Sequence, residues 1–283
     1  MRRSWAIVIV TLIFTFGGAL AAASPAAATS RPAGGPAPGP LGAMVQPGGP
    51  LSWMASSPQD GPAAFTKMAT VTSTNWSGYA ATGSTGHFTG VSSSWIEPTA
   101  KCTGSGDQYS AFWVGLDGYS SSTVEQTGSE ADCSGRTAEY AAWYEMYPTY
   151  PVYFTNPVRA GDHFTGSVAY QAGNFVITLT DSTQKWTKTA SQAAGGAARS
   201  SAEVIAEAPS SNSGVLPLTN FGTVNFTGAT VNGGQLCTSS PTKIVMTNAS
   251  GTPIVSVSSI SGCTNFNVSY TGAGGGRPGW PYF

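Results

Sequence analysis

Three stretches of the chain carry carboxyl or carboxamide groups at the even spacings that place side chains on one side of an extended strand. In Val124 to Glu130, Gln126 and Glu130 share a side and Glu125 takes the other. In Glu139 to Tyr147, Glu139, Ala141, Trp143, Glu145 and Tyr147 share one side, with Tyr140, Ala142, Tyr144 and Met146 opposite. In Ala202 to Ala208, Glu203 and Glu207 flank Ile205, and Val204 and Ala206 face the other way. Carboxyl groups beside large aromatics are costly inside a core and useful in a ligand groove. Such groups can move protons to and from water while an amide or a glycoside is hydrolysed. On parity alone, a solvated outer face is the alternative.

Most other chemistries lack their residues. The two histidines, His87 and His163, stand in no HExxH motif, and there is no CxxC pair or GxxxxGK[ST] loop, so no metal and no cofactor is expected. The run Gly272-Ala273-Gly274-Gly275-Gly276 follows the last plausible strand and opens no helix, so it is no dinucleotide loop. Paired Asp-[Thr/Ser]-Gly sites and a G-x-S-x-G elbow are both missing. Net charge is −1, from 12 Lys+Arg and 13 Asp+Glu with no basic run, which excludes a nucleic-acid partner.

The N-terminus predicts export. Met1-Arg2-Arg3 is a basic start, Trp5 to Phe16 is apolar, and Ala-rich cleavage options follow up to Ala28. Residues 1–28 therefore read as a signal peptide, and no later segment is apolar enough to hold a membrane. Residues 29–72 contain eight of the 19 prolines. That composition predicts an extended linker or a propeptide. If the segment is inhibitory, acid should release it. Cys102, Cys133, Cys237 and Cys263 form an even set in an oxidising route. Of the three possible connectivities, Cys102–Cys133 and Cys237–Cys263 close the local loops.

The body of the chain reads as β. Only 9% of its residues are charged, against about 25% in ordinary soluble proteins. Its 36 glycines and 19 prolines punctuate short alternating runs. His163 to Tyr170 and Phe175 to Thr180 flank a hairpin loop at Ala172-Gly173-Asn174. Lys243 to Thr247 and Ile254 to Ser258 flank Asn248-Ala249-Ser250-Gly251 and predict a second hairpin. This spacing argues an all-β sandwich or barrel over 73–270, followed by a Gly-rich tail over 271–283. All but one of the 13 carboxylates lie between Glu97 and Glu207, so the chemistry belongs to the middle of the chain.

The motifs in that middle are familiar. Asn75-Trp76-Ser77-Gly78-Tyr79, Trp113-Val114-Gly115-Leu116-Asp117-Gly118, Gln126-Thr127-Gly128, Ala141 to Tyr147 and Ala202-Glu203-Val204-Ile205-Ala206-Glu207 together resemble, in order and spacing, the blocks of the glutamic peptidase (eqolisin) family. The resemblance implies a sandwich of two antiparallel sheets, concanavalin-like or jelly-roll-like, whose concave groove binds an extended peptide. It implies a catalytic pair at Gln126 and Glu207. Trp113, Asp117, Glu130, Trp143, Glu145, Tyr147 and Glu203 would shape the groove and its surroundings. Three positions depart from the family pattern: Val204 replaces an aromatic, Ala208-Pro209 follows Glu207 where an acidic residue is usual, and Glu130 replaces a shorter Asp.

The implied chemistry needs no histidine. Glu207 would take the proton of water and return it to the leaving amine. The Gln126 carboxamide offers a donor for the developing oxyanion and a carbonyl to orient the water. A Glu base with a reference pKa of about 4.3 predicts an acid optimum. Protein or peptide substrates, a monomer and an extracellular location follow. A carbohydrate-active or carbohydrate-binding sandwich is one alternative. Glu203 and Glu207 suit it poorly, since four residues along a straight strand set their Cα atoms roughly 13 Å apart, against carboxyl separations of about 5–9.5 Å in glycosidases; a partner such as Glu145 keeps it open. An inactive peptide-binding family member is the other alternative.

Overall fold

The computed structural model describes residues 49–51, 69–104 and 106–272. The expected signal peptide, most of the 29–72 segment and nearly all of the 271–283 tail lie outside the described residues. In chain order the strands begin with β1 (Thr70–Ser73), β2 (Trp76–Thr82), β3 (Gly90–Ile96), β4 (Ala111–Leu116), β5 (Val124–Ser134) and β6 (Thr137–Tyr147). They continue with β7 (Val152–Tyr153), β8 (His163–Gln171), β9 (Asn174–Asp181), β10 (Trp186–Gln192), β11 (Ser201–Glu207) and β12 (Ser210–Ser211). The last are β13 (Gly214–Val215), β14 (Thr223–Val231), β15 (Gly234–Gln235), β16 (Thr242–Met246), β17 (Val255–Val257) and β18 (Phe266–Tyr270). Among the described residues the one helical turn is a 3-10 turn over Leu236–Ser239.

Two large sheets form a β-sandwich. The first runs β1-β16-β2-β11-β4-β5-β6-β7, and the second runs β10-β9-β8-β3-β14-β18-β17. Pairing is antiparallel throughout both except at β1 and β16, which run parallel. Between the sheets lies a core built from one parity of each strand: Phe112, Val114, Ala142, Val204 and Ala206 meet Trp95, Phe164, Leu179 and Phe226. This is the side the alternation assigns to Ala142, Val204 and Ala206. Strands β4 and β11 are buried on both faces. Their other parity belongs to a second apolar cluster, with Trp76, Trp113, Val124, Trp143 and Ile205.

Both disulfides join the cysteines that local loop closure favours, Cys102 to Cys133 and Cys237 to Cys263. The hairpin at Ala172-Gly173 is present, with β8 and β9 in continuous antiparallel register from Phe164↔Asp181 to Gln171↔Asn174. The second expected hairpin is not formed as expected. Asn248 does make a turn, its side-chain oxygen accepting from the N–H groups of Ser250 and Thr252. The strands on either side then part: β16 joins β2 and β1 in the first sheet, and β17 joins β18 in the second. A turn reverses the chain locally, but the buried side chains Ile244, Met246 and Val255 decide which sheet each strand joins.

Candidate active site

The second cluster covers the face of the first sheet turned away from the core, and the polar residues read by parity sit on it. Register places them around Trp113. On one side Trp113 pairs with Gly128 of β5, and on the other with Ile205 of β11. Gln126 stands opposite Gly115, two residues along from Gly128, and Glu207 stands opposite Ala111, two residues along in the other direction. Gln126 and Glu207 therefore flank Trp113 from opposite directions along the strands. Both are fully buried, which excludes the solvated outer face.

Hydrogen bonds give each group a distinct part. The Trp113 indole N–H donates to Glu207 Oε2 at 2.8 Å, and Asn75 Nδ2 donates to Glu207 Oε1 at 3.3 Å. Both carboxyl oxygens of Glu207 are thus aimed by N–H donors. Trp76 packs edge-on against Trp113, with ring centroids 5.0 Å apart, and holds the indole that makes this bond. Gln126 Nε2 donates to Glu145 Oε2 at 2.9 Å. Glu130 accepts from the Tyr153 hydroxyl at 2.9 Å. Thr127 Oγ1, on the core-facing parity, donates to the Trp143 backbone carbonyl at 2.7 Å and ties β5 to β6 beneath the site.

Burial sets the protonation of the carboxyls around Glu207. It holds Glu145 well above the usual carboxylate range, with the charges of Glu207 and Glu130 adding to the effect and the Gln126 hydrogen bond opposing it. Burial likewise pushes Glu130 up to about 8, against the Tyr153 hydrogen bond and with help from the charges of Glu97 and Glu207. Glu97 accepts from Ser129, which in turn accepts from the Trp95 indole at 2.9 Å, and burial raises it to about 8. In acid these neighbours are neutral, so they add no negative charge beside Glu207.

Structure brings together Gln126, Glu207, Trp113, Glu130 and Glu145, with the indole of Trp143 and the half-buried ring of Tyr147 in the same apolar cluster. Asp117 makes its contacts outside this set, whereas Glu203 stands across Gly115 from Gln126. Asp117 has φ 73°, and its carboxyl accepts from the backbone N–H groups of Arg199 and Ser200 at 2.6 and 2.9 Å. Glu203 stands opposite Gly115 and feels the charges of Asp117 and Glu125, with burial raising it well above its ordinary range. Sequence reasoning passed over Asn75 and Tyr153 as site residues. Asn75 opens the first motif block and was legible there; Tyr153 lies on a two-residue strand with no pattern to mark it.

Glycine explains why two of the motif blocks keep their third or fourth residue. A Cβ on Gly128 would lie 2.3 Å from the Phe112 carbonyl oxygen and 2.6 Å from Trp113 Cβ. On Gly78, where φ is +140°, it would lie 2.2 Å from the Val204 carbonyl oxygen. Gly128→Ala must therefore push β5 from β4 under Trp113, at a cost of about 1–3 kcal/mol or more. The expected outcome is a lower Tm together with a loss of activity, because the indole that aims Glu207 moves. A variant with wild-type Tm and activity would contradict this packing.

An all-β sandwich with a buried carboxyl and indole site on one sheet is the class that this fold and these contacts define. Residues 74–270 match the Peptidase A4 family, and the chain belongs to that family. Aspergillopepsin-2 of Aspergillus niger is 28% identical over 156 residues, which are 53% of this chain and 55% of that protein, so the chain spans about half the length of this curated relative. The crystal structure of scytalido-glutamic peptidase with a transition-state analog inhibitor aligns with a TM-score of 0.61 at 26% identity, covering 70% of this chain and 98% of that one. SCP-B, an eqolisin-family peptidase in complex with the tripeptide Ala-Ile-His, aligns with a TM-score of 0.56 at 25% identity over the same shares, 70% and 98%.

Proposed function

We propose that this protein is an exported acid endopeptidase that hydrolyses peptide bonds with Gln126 and Glu207. The observation that carries the reading is a carboxyl, Glu207, aimed by two N–H donors on the face that also holds Gln126. Water attacks the peptide carbonyl carbon while its proton passes to Glu207. One N–H of the Gln126 carboxamide is engaged by Glu145. With substrate bound, the carboxamide donates an N–H to the carbonyl oxygen as it becomes an oxyanion. When the tetrahedral intermediate collapses, the C–N bond breaks and Glu207 returns its proton to the departing amine. Glu145 acts as a positioning residue, because its Oε2 holds the Gln126 carboxamide by its Nε2. Family membership and the relatives' names as peptidases support this reading, and the two disulfides suit an oxidising, extracellular setting.

The test is cleavage of an unfolded protein from pH 2 to 8, with pepstatin in a parallel series and Gln126→Ala beside the wild type. Acid activity that resists pepstatin and falls about 10²–10³-fold in the variant is the expected result. A folded, correctly processed sample that cuts nothing at any pH would instead leave a peptide or carbohydrate binder.

A further inference from the structure

Residues 49–51 come from the Pro/Gly-rich stretch ahead of the first strand, yet they are seated in the site. Leu51 is only 6% exposed and joins the apolar cluster of Trp76, Trp113, Val124, Trp143 and Ile205. Its backbone N–H donates to the Gly118 carbonyl at 3.0 Å, the kind of bond an added strand makes. The Pro50 carbonyl accepts from Asn75 Nδ2 at 3.3 Å, and the same nitrogen donates to Glu207 Oε1 at 3.3 Å. One donor therefore serves a peptide carbonyl and the Glu207 carboxyl together. Gly49 completes the passage on the side of Tyr147: a Cβ added there would lie 4.0 Å from its ring.

A short peptide that sets one carbonyl beside Glu207, one N–H on a loop carbonyl and one side chain in an apolar recess is held as a substrate would be held. We propose that the recess filled by Leu51 is a substrate subsite selecting an aliphatic side chain of leucine size, and that residues 49–51 occupy it in the unprocessed chain. The proposal rests on the peptidase reading and adds its specificity. The selection follows from the lining. Indoles, Val124 and Ile205 reward apolar area, and no charged residue belongs to the cluster to pair with a charged side chain. Leu51 is almost wholly covered there, so an alanine in its place would leave a void.

The experiment uses the full chain with Leu51→Asp and Leu51→Met. Wild type and Leu51→Met should hydrolyse an unfolded protein after a lag that ends as the N-terminal segment is cut away. Leu51→Asp should start without the lag, at an initial rate higher by about tenfold or more, since burying a leucine favours the occupied state by at least that factor. The fragments should carry Leu, Met or Ile in excess at one fixed position from the cleaved bond. In parallel, a synthetic peptide of residues 47–54 is titrated into the Leu51→Asp chain by calorimetry; it should bind, and the same peptide with Asp for Leu should not. Hydrolysis with equal initial rates and no aliphatic excess would overturn the subsite while leaving the peptidase reading intact. Absence of hydrolysis in every form would overturn the peptidase reading instead, and the peptide titration would then decide the recess by itself.

Discussion

Glu207→Gln is expected to lower kcat at acid pH by at least about 10³-fold, whereas Glu203→Gln is expected to leave it within about threefold. The two carboxyls are four residues apart on one face of β11, and nothing in their local sequence tells them apart. Their surroundings do. Glu207 accepts from the Trp113 indole and from Asn75, and its charge reaches Glu145 and Glu130. Burial, with the charges of Asp117 and Glu125 adding to it, holds the Glu203 proton well into the range where the enzyme is expected to work. A protonated Glu and a Gln have nearly the same shape and the same charge, so the change at Glu203 replaces like with like in acid. At Glu207 it removes the only group in the scheme that accepts the proton of water. Glu145→Ala should fall between them, lowering kcat more than it raises KM, because Gln126 loses the contact that orients its donor. The readout is kcat and KM at pH 4 for each variant, with circular dichroism to establish folding. Loss of turnover in Glu203→Gln with turnover retained in Glu207→Gln would reverse the assignment.

How much of this was legible beforehand depends on the range over which each feature is decided. Face parity is a local property of a strand. That is why Trp143 and Glu145 were separable from Ala142 and Tyr144, and Glu207 from Ala206, before any pairing was known. Local loop closure likewise sufficed for the two disulfides. Register and sheet membership are not local. The Asn248 turn has the expected chemistry, yet it carries the chain from one sheet to the other, since Ile244 and Val255 are buried against different partners. The same limit hid the division of the carboxyls into two groups. Only pairing across Gly115 and Ala111 shows that Glu203 stands across from Gln126, and Glu207 across from Glu130. Leu51 was less legible still: a leucine in a stretch rich in Pro and Gly carries no pattern, and only its seat beside Trp76 and Gly118 gives it meaning.

Stability should run against the usual dependence on pH, greatest in acid and falling through neutrality. Most proteins gain stability as carboxylates ionise, because the folded state holds those groups with pKa values below the unfolded ones. Here the order is reversed. Burial raises Glu97, Glu125 and Glu130 to about 8, and holds Glu145, Glu203 and Asp132 well above their ordinary ranges. A group whose folded pKa is raised binds more protons in the folded chain than in the unfolded one between the two values. Its contribution is complete below the unfolded pKa of about 4 and is lost as pH rises through the folded value. Raising one such group from about 4 to about 8 is worth about 5 kcal/mol between those pH values, so a few of them together match the roughly 5–15 kcal/mol that holds an ordinary domain. For a domain of this size the Tm should be highest near pH 3–4 and lower by roughly 10 °C or more at pH 8. Glu203→Gln discriminates further: it deletes one titrating group without touching the proposed chemistry, so its Tm should approach the wild type at pH 3 and exceed it at pH 8. Scanning calorimetry of both chains from pH 3 to 8 reads the two curves directly. A wild-type Tm that climbs from pH 3 to pH 7 would mean that the buried carboxyls are ionised and compensated in the folded chain, and the acid-poised site described here would have to be abandoned.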